Sequence, residues 1–177
     1  NAAAIKNIEG TATAVKAAYD ANANKTISGL GNETVDLSTA TDANASLVKA
    51  INDYTTGVIT LDTVNTANAG GNFSLSQLGD LKGITGLEVI KADNSAVDNI
   101  TISIKDLLAA NDNPNNFTFT ITSDNDGTDK VIFTDIDTAG WTMDDNGFTA
   151  GSGGNITFTN TNSQVITITL DNVVLPA

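Results

Sequence analysis

Cysteine, histidine and arginine do not occur in this chain of 177 residues, and methionine and tryptophan occur once each. Without cysteine no disulfide can staple the fold. Without cysteine or histidine, any metal site must be built from oxygen ligands, and mechanisms that use either residue as base or nucleophile are excluded. Positive charge is also scarce. Eight lysines face 18 aspartates and three glutamates, for a formal net charge of -13. Such a chain cannot neutralise phosphates in number, so nucleic acid is not its partner. No run approaches about 18 apolar residues, so no membrane insertion is expected. The chain opens at Asn1 with neither a methionine nor a charged-then-apolar leader, and it reads as a piece of something longer.

What is abundant is threonine and asparagine, 26 and 22 residues. The β-branch of threonine packs on a pleated surface, and asparagine tolerates left-handed backbone and bonds its own main chain in turns. Many short strands joined by many tight turns are expected. The excess of aspartate over glutamate agrees, since glutamate favours helices and aspartate favours caps, turns and calcium loops.

The first third predicts two short helices and two strands. Residues 12–20 place Val15, Ala18 and Tyr19 at helical spacing, with Thr11 or Thr13 as cap. Residues 42–53 repeat the pattern with Leu47, Val48 and Ile51 inward. VKAAYD at 15–20 aligns without gaps on VKAIND at 48–53, and strand-like VDLS (35–38) and GVITL (57–61) follow them. A helix–loop–strand unit present twice is the mark of stacked repeats. NTANAGGN at 65–72 is small, polar and glycine-containing, and it marks the boundary between a repeat segment, 1–66, and a β-rich module, 67–177. In that module the stretches 73–81, 86–93, 99–104, 116–122, 130–136, 155–160 and 164–170 are strand-like, with one helical turn within 104–112. In 116–122, Phe117, Phe119 and Ile121 oppose Thr118, Thr120 and Thr122, so one sheet face is buried and the other is clad in threonine. The fold class is mainly β with a minor α/β N-terminal segment. The module is a parallel β-roll or solenoid, or alternatively an antiparallel β-sandwich, which the turn signals Asp126-Gly127 and Asn146-Gly147 favour locally.

The acidic turns are the candidate site. Asp124, Asp126, Asp129, Asp135, Asp137, Asp144 and Asp145 fall between residues 124 and 145. Calcium takes several oxygens from carboxylates, amides and carbonyls, and Asp/Asn/Gly turns supply all three. The spacing is not that of an EF-hand. With Gly127 as the loop glycine, Phe133 stands where a bidentate glutamate belongs. Gly127 to Val131 matches only half of a calcium β-roll nonapeptide. Either calcium is held here or these are turn-forming aspartates with solvated charge. Paired carboxylates also serve glycoside hydrolysis, but a sugar cleft needs aromatic platforms. Only Trp141 is a candidate platform, against packing over a core edge. No enzymatic activity is expected.

Two blocks resemble known surface proteins. IEGTATAVKAAYDANANKTISGLGNETVDLS (8–38) is similar to repeats of very large bacterial surface proteins. Residues 87–142, with Asp106-Leu107-Leu108, Asp126 to Val131 and Gly140-Trp141, resemble the module of S-layer proteins and RTX-type adhesins. The resemblance implies a non-enzymatic, secreted protein of the bacterial cell surface. The leading expectation is a structural segment of an S-layer, extracellular filament or adhesin stalk. Its partners would be copies of itself or other repeats of the parent, and calcium its cofactor. The alternative is an adhesive module recognising glycan, ice or a host protein.

Overall fold

The computed structural model describes residues 5–66, 71–92, 97–110, 117–123, 129–137, 140–148, 153–171 and 173–175. Strand β1 (Asn7–Glu9) leads into helix α1 (Ala12–Ala23), and β2 (Thr34–Asp36) into α2 (Ala45–Asn52). Next come β3 (Ile59–Thr60), β4 (Thr63–Asn65) and β5 (Gly71–Ser74), then a 3-10 turn at Leu75–Leu78. A second 3-10 turn, Leu81–Gly83, precedes β6 (Ile84–Thr85), β7 (Val89–Ala92) and β8 (Asp98–Ser103), which runs into α3 (Ile104–Ala109). The last strands are β9 (Phe117–Ser123), β10 (Lys130–Thr134), β11 (Trp141–Asp144), β12 (Gly154–Asn160) and β13 (Val165–Asp171).

The chain is thus mostly sheet, in three sheets. The first is β1-β2-β3-β6 and the third β10-β8-β5, both parallel throughout. The second is β11-β12-β13-β9-β7-β4, parallel from β13 to β4 and antiparallel only at β11, β12 and β13. Two consecutive passes visit the sheets in one order: β3, β4, β5 and then β6, β7, β8. Helices or 3-10 turns close the passes, and they pack in sequence: α1 on α2, α2 on Leu75–Leu78, and that turn on α3.

Parallel pairing stacks like on like. Ile8, Val35, Ile59 and Ile84 form one column of the first sheet. Val64, Ile90, Ile121 and Leu170 form a column of the second, and Phe73, Ile100 and Val131 one of the third. All but Ile8 are buried, and they join one apolar core with Val15, Tyr19, Val48, Ile51, Leu75 and Leu107. Residues 67–70, at the expected boundary, lie outside the described residues. On either side of them β3 pairs with β6 and β4 with β7.

The two-helix repeat is present in detail. Val15 and Val48 are both buried, and Lys16–Asp20 and Lys49–Asp53 are equivalent i,i+4 ion pairs at 2.7 and 2.6 Å. Thr11, not Thr13, caps α1, and Asn44 caps α2. The strand expected over 73–81 is a strand only as far as Ser74. Leu75, Leu78 and Leu81 recur every three residues and are buried on 3-10 turns, whose period is three, not two. Asp126-Gly127, where a hairpin turn was expected, lie outside the described residues; β9 and β10 on either side of them belong to different sheets. Asn146 and Gly147 do have the positive φ values of a primed turn, 49° and 72°, within the connection of antiparallel β11 and β12.

Candidate functional site

Each described acid of the expected metal cluster has its own local setting. Asp129 is buried, and its Oδ1 accepts the Asp98 backbone N–H at 2.8 Å. Asp98 in turn accepts the Thr66 hydroxyl at 2.7 Å, so a buried polar chain links three neighbouring passes. Asp135 sits in left-handed backbone, φ 55°. From there its carboxylate accepts the N–H groups of Ile104 at 2.8 Å and Lys105 at 3.3 Å, and the Ser103 hydroxyl at 3.1 Å. It therefore caps α3 from the pass that follows. Asp137 is exposed in a turn closed by Gly140 N–H on its carbonyl. Asp144 and Asp145 accept the backbone N–H groups of Asn146 and Gly147 at 2.9 and 3.0 Å. Asp124 and Asp126 lie outside the described residues. Among the described residues no three acidic side chains gather closely enough to hold a metal ion.

The arrangement at Asp135 has a counterpart that sequence reading missed. Asp42 accepts the N–H groups of Ala12 at 2.7 Å and Thr13 at 2.9 Å, at the N-terminus of α1. Burial pushes the Asp42 carboxyl up, but hydrogen bonds from Thr13 and Ala12 outweigh it and hold the group below the usual carboxylate range. An aspartate one pass downstream thus caps a helix one pass upstream, twice. The first-turn N–H groups of a helix have no intrahelical partner and favour negative charge, which is why aspartate suits the position. Near the second cap, burial and the neighbouring Asp135 charge raise Asp106 above its ordinary value.

A third polar knot lies under the GLGNE block. Glu33 is buried and accepts the Tyr19 hydroxyl, Gly31 N–H at 2.8 Å and Asn32 N–H at 3.2 Å. Burial pushes Glu33 up, and these donors together pull it below the usual range. Burial, with the bond to Glu33, drives the Tyr19 hydroxyl far above its ordinary value. The Thr55 hydroxyl donates to the Glu33 carbonyl at 2.9 Å, and Tyr54 stacks on Tyr19 at 5.6 Å.

Two surfaces remain. The outer face of the second sheet carries cross-strand rows, such as Thr63-Val89-Thr120-Thr169-Asn155 and Thr118-Thr167-Thr157, over the buried Phe119, Ile121, Ile156 and Ile168. The other surface is an open cleft of about 590 Å³ lined by Phe133, Asp135, Ile136, Asp137, Thr142 and Met143. Trp141 is beside it in sequence but buried, so it packs in the core and is not a platform for a sugar ring. Comparison with protein-family models, curated proteins and solved structures gives no match.

Proposed function

We propose that this chain is a structural segment of a secreted bacterial cell-surface protein, built as a parallel β-solenoid capped by the antiparallel strands β11, β12 and β13. The observation that carries this reading is the use made of three acids, Asp129 buried and Asp42 and Asp135 partly buried. Asp42 and Asp135 each bond the helix of the preceding coil, and Asp129 bonds the backbone of the preceding coil at Asp98. Polar groups in such a molecule hold coil to coil. A reactive site would instead bring two or more of them together in a cleft. Repeat architectures of this kind gain stability from nearest-neighbour contacts and present long regular faces for assembly.

Copies would meet through sheet edges and threonine faces, which offer unpaired backbone groups and hydroxyls. Calcium enters as a stabiliser, on the density of carboxylates between residues 124 and 145. Light scattering and thermal melting during a calcium titration test both parts. Ordered assembly and a higher melting temperature in calcium, both reversed by a chelator, are expected. A melting temperature indifferent to chelator removes calcium, and a chain that never assembles removes the structural role.

A second reading rests on the threonine rows. In a chain of net charge -13, a broad outer face whose central rows are threonine would suit a flat hydroxyl-bearing ligand such as a glycan. Threonine is stiff at χ1, so its hydroxyls are pre-ordered. Retention of the monomer on a glycan array, without assembly, would favour this adhesive role over the structural one.

A further inference from the structure

At its β4 edge the outer face of the second sheet ends in a small polar cleft of about 170 Å³. Three passes build its walls. Ser38 and Thr41 lie in the connection from β2 to α2, Asp62, Thr63 and Asn65 just before and on β4, and Lys91 on β7. The cross-strand rows Thr63-Val89-Thr120 and Asn65-Lys91-Thr122 run into it, so the cleft terminates two rows of the face. Its polar groups are held in place. The Asn65 amide nitrogen donates to the carbonyls of Thr41 at 3.2 Å and Ala43 at 3.3 Å, which ties the loop to β4 and leaves Asn65 Oδ1 as an acceptor. The Ser38 hydroxyl donates to Asp36 at 2.6 Å, which leaves Ser38 Oγ to accept. The Asp62 carboxylate accepts the Thr63 hydroxyl at 2.9 Å and has lone pairs to spare. Lys91 is exposed. Among the described residues the ion pairs are Lys16–Asp20 and Lys49–Asp53, so the Lys91 ammonium and the Asp62 carboxylate face the cleft without pairing with each other.

We infer that this cleft binds a single neutral sugar ring. The inference rests on the adhesive reading above and gives that reading a site at the edge of the threonine face. Size is the first reason. The 170 Å³ cleft is smaller than the roughly 300–1,000 Å³ of sites for drug-sized ligands, so it takes one ring and not a chain of them. Hydrogen-bonding chemistry is the second. A sugar hydroxyl both donates and accepts, and the cleft presents acceptors on Asp62, Asn65 and Ser38, with the Lys91 ammonium and the Thr41 hydroxyl as donors. Charge is the third. One carboxylate and one ammonium sum to zero. A uronic acid is opposed by Asp62 and by the net charge of -13, and an amino sugar by Lys91, so the neutral ring is preferred. Hydrogen bonds to ionised groups are the stronger ones, which makes Asp62 and Lys91 the specificity-determining pair. None of the lining residues is aromatic, so no side-chain ring stacks on the sugar and the affinity is low.

Titration of the whole isotope-labelled chain, followed by amide chemical shifts, is the test. The probes are the methyl glycosides of glucose, galactose and mannose, with glucuronic acid and L-alanine as charged counterparts. At least one neutral glycoside should shift the amides of residues 38–41, 62–65 and 91 saturably, with a Kd in the millimolar range, and glucuronic acid should bind several-fold more weakly. Asp62→Asn can still accept the Thr63 hydroxyl, and Lys91→Met keeps the apolar stem. Each should weaken binding roughly tenfold, and unchanged spectra away from the cleft would show that the variants are folded. Shifts confined to the rows around 118–120 and 167–169 overturn the cleft and leave the adhesive reading standing on the open face. Variants that bind like the wild type, or tighter binding of glucuronic acid or alanine, overturn the assignment of a neutral sugar to Asp62 and Lys91. No shift with any of the three glycosides overturns the cleft as a sugar site, and a glycan array that also retains nothing overturns the adhesive reading with it.

Discussion

At the residue scale, the informative groups are acids with assigned partners, Glu33 buried and Asp42 partly buried. Asp42 bonds two first-turn N–H groups of α1 across a sequence gap of about thirty residues. Asp42→Ala leaves those donors without the carboxylate, and is expected to lower stability by about 1–2 kcal/mol, read as a shift in urea midpoint at constant slope. The same chemistry sets a pH dependence. Asp42 and Glu33 are held below the ordinary carboxylate range in the fold, so the unfolded chain binds protons there more readily. Their contribution is present above the unfolded value of about 4 and is lost as pH falls through the folded ones. Tyr19 acts in the opposite direction. Its hydroxyl is raised in the fold by burial and by Glu33, so its contribution is present below about pH 10 and is lost as pH rises towards the folded value. Tyr19→Phe should lower stability by about 1–3 kcal/mol at neutral pH, because Glu33 loses a donor in a buried setting. It should also flatten the alkaline limb of the melting profile. An alkaline limb identical to that of the wild type would remove the Tyr19–Glu33 bond from this explanation.

At the scale of elements, short parallel strands depend on close backbone contact where they turn. A Cβ built on Gly57 would lie 2.0 Å from the Glu33 carbonyl oxygen and 2.5 Å from its carbon. Since the obstacle is backbone, Gly57→Ala requires the loop before β3 to move. It is expected to cost about 3 kcal/mol, measured by denaturant unfolding, through overpacking and disturbance of the Thr55–Glu33 bond. Gly57→Ala with wild-type stability would show that β2 and the β3 loop are not tightly apposed. Elements of this size mark the limit of sequence reading. The strands β8, β9, β12 and β13, of six or seven residues, were legible because alternation had room to repeat. The two-residue strands β3 and β6 carry no period at all, and neighbours from other passes define them. Leu75, Leu78 and Leu81 looked strand-like within a β-rich stretch, yet their three-residue spacing was visible and pointed to the 3-10 turns observed. The helices at α1 and α2 were found with their inward faces, because repeated VKA segments and capping residues are local signals.

At the scale of the whole molecule, pairing direction and long-range caps were not legible. Alternation of apolar residue and threonine is the same in a parallel and an antiparallel strand, so the join of β13 to β9 in parallel could not be told from a hairpin sheet. Nor could Asp42 or Asp135 be assigned to helices about thirty residues away, since spacing along the chain does not report a contact between passes. The density of aspartate was legible and its disposition was not. Among the described aspartates of that stretch, Asp135 caps a helix, Asp129 makes a buried bond between passes, and Asp144 and Asp145 bond the turn after β11. What unites them is a single apolar core running from Ala12 to Val173, wrapped by polar residues that tie each pass to the next. Under the proposed structural role, contacts would repeat along the molecule's length, and the net charge of -13 would make them sensitive to counterions. Negative-stain electron microscopy of the purified chain, concentrated in calcium-containing buffer near physiological ionic strength, measures this most directly. Filaments or lattices of regularly repeating subunits are expected. Dispersed single particles at every protein and calcium concentration would contradict a structural, self-associating role.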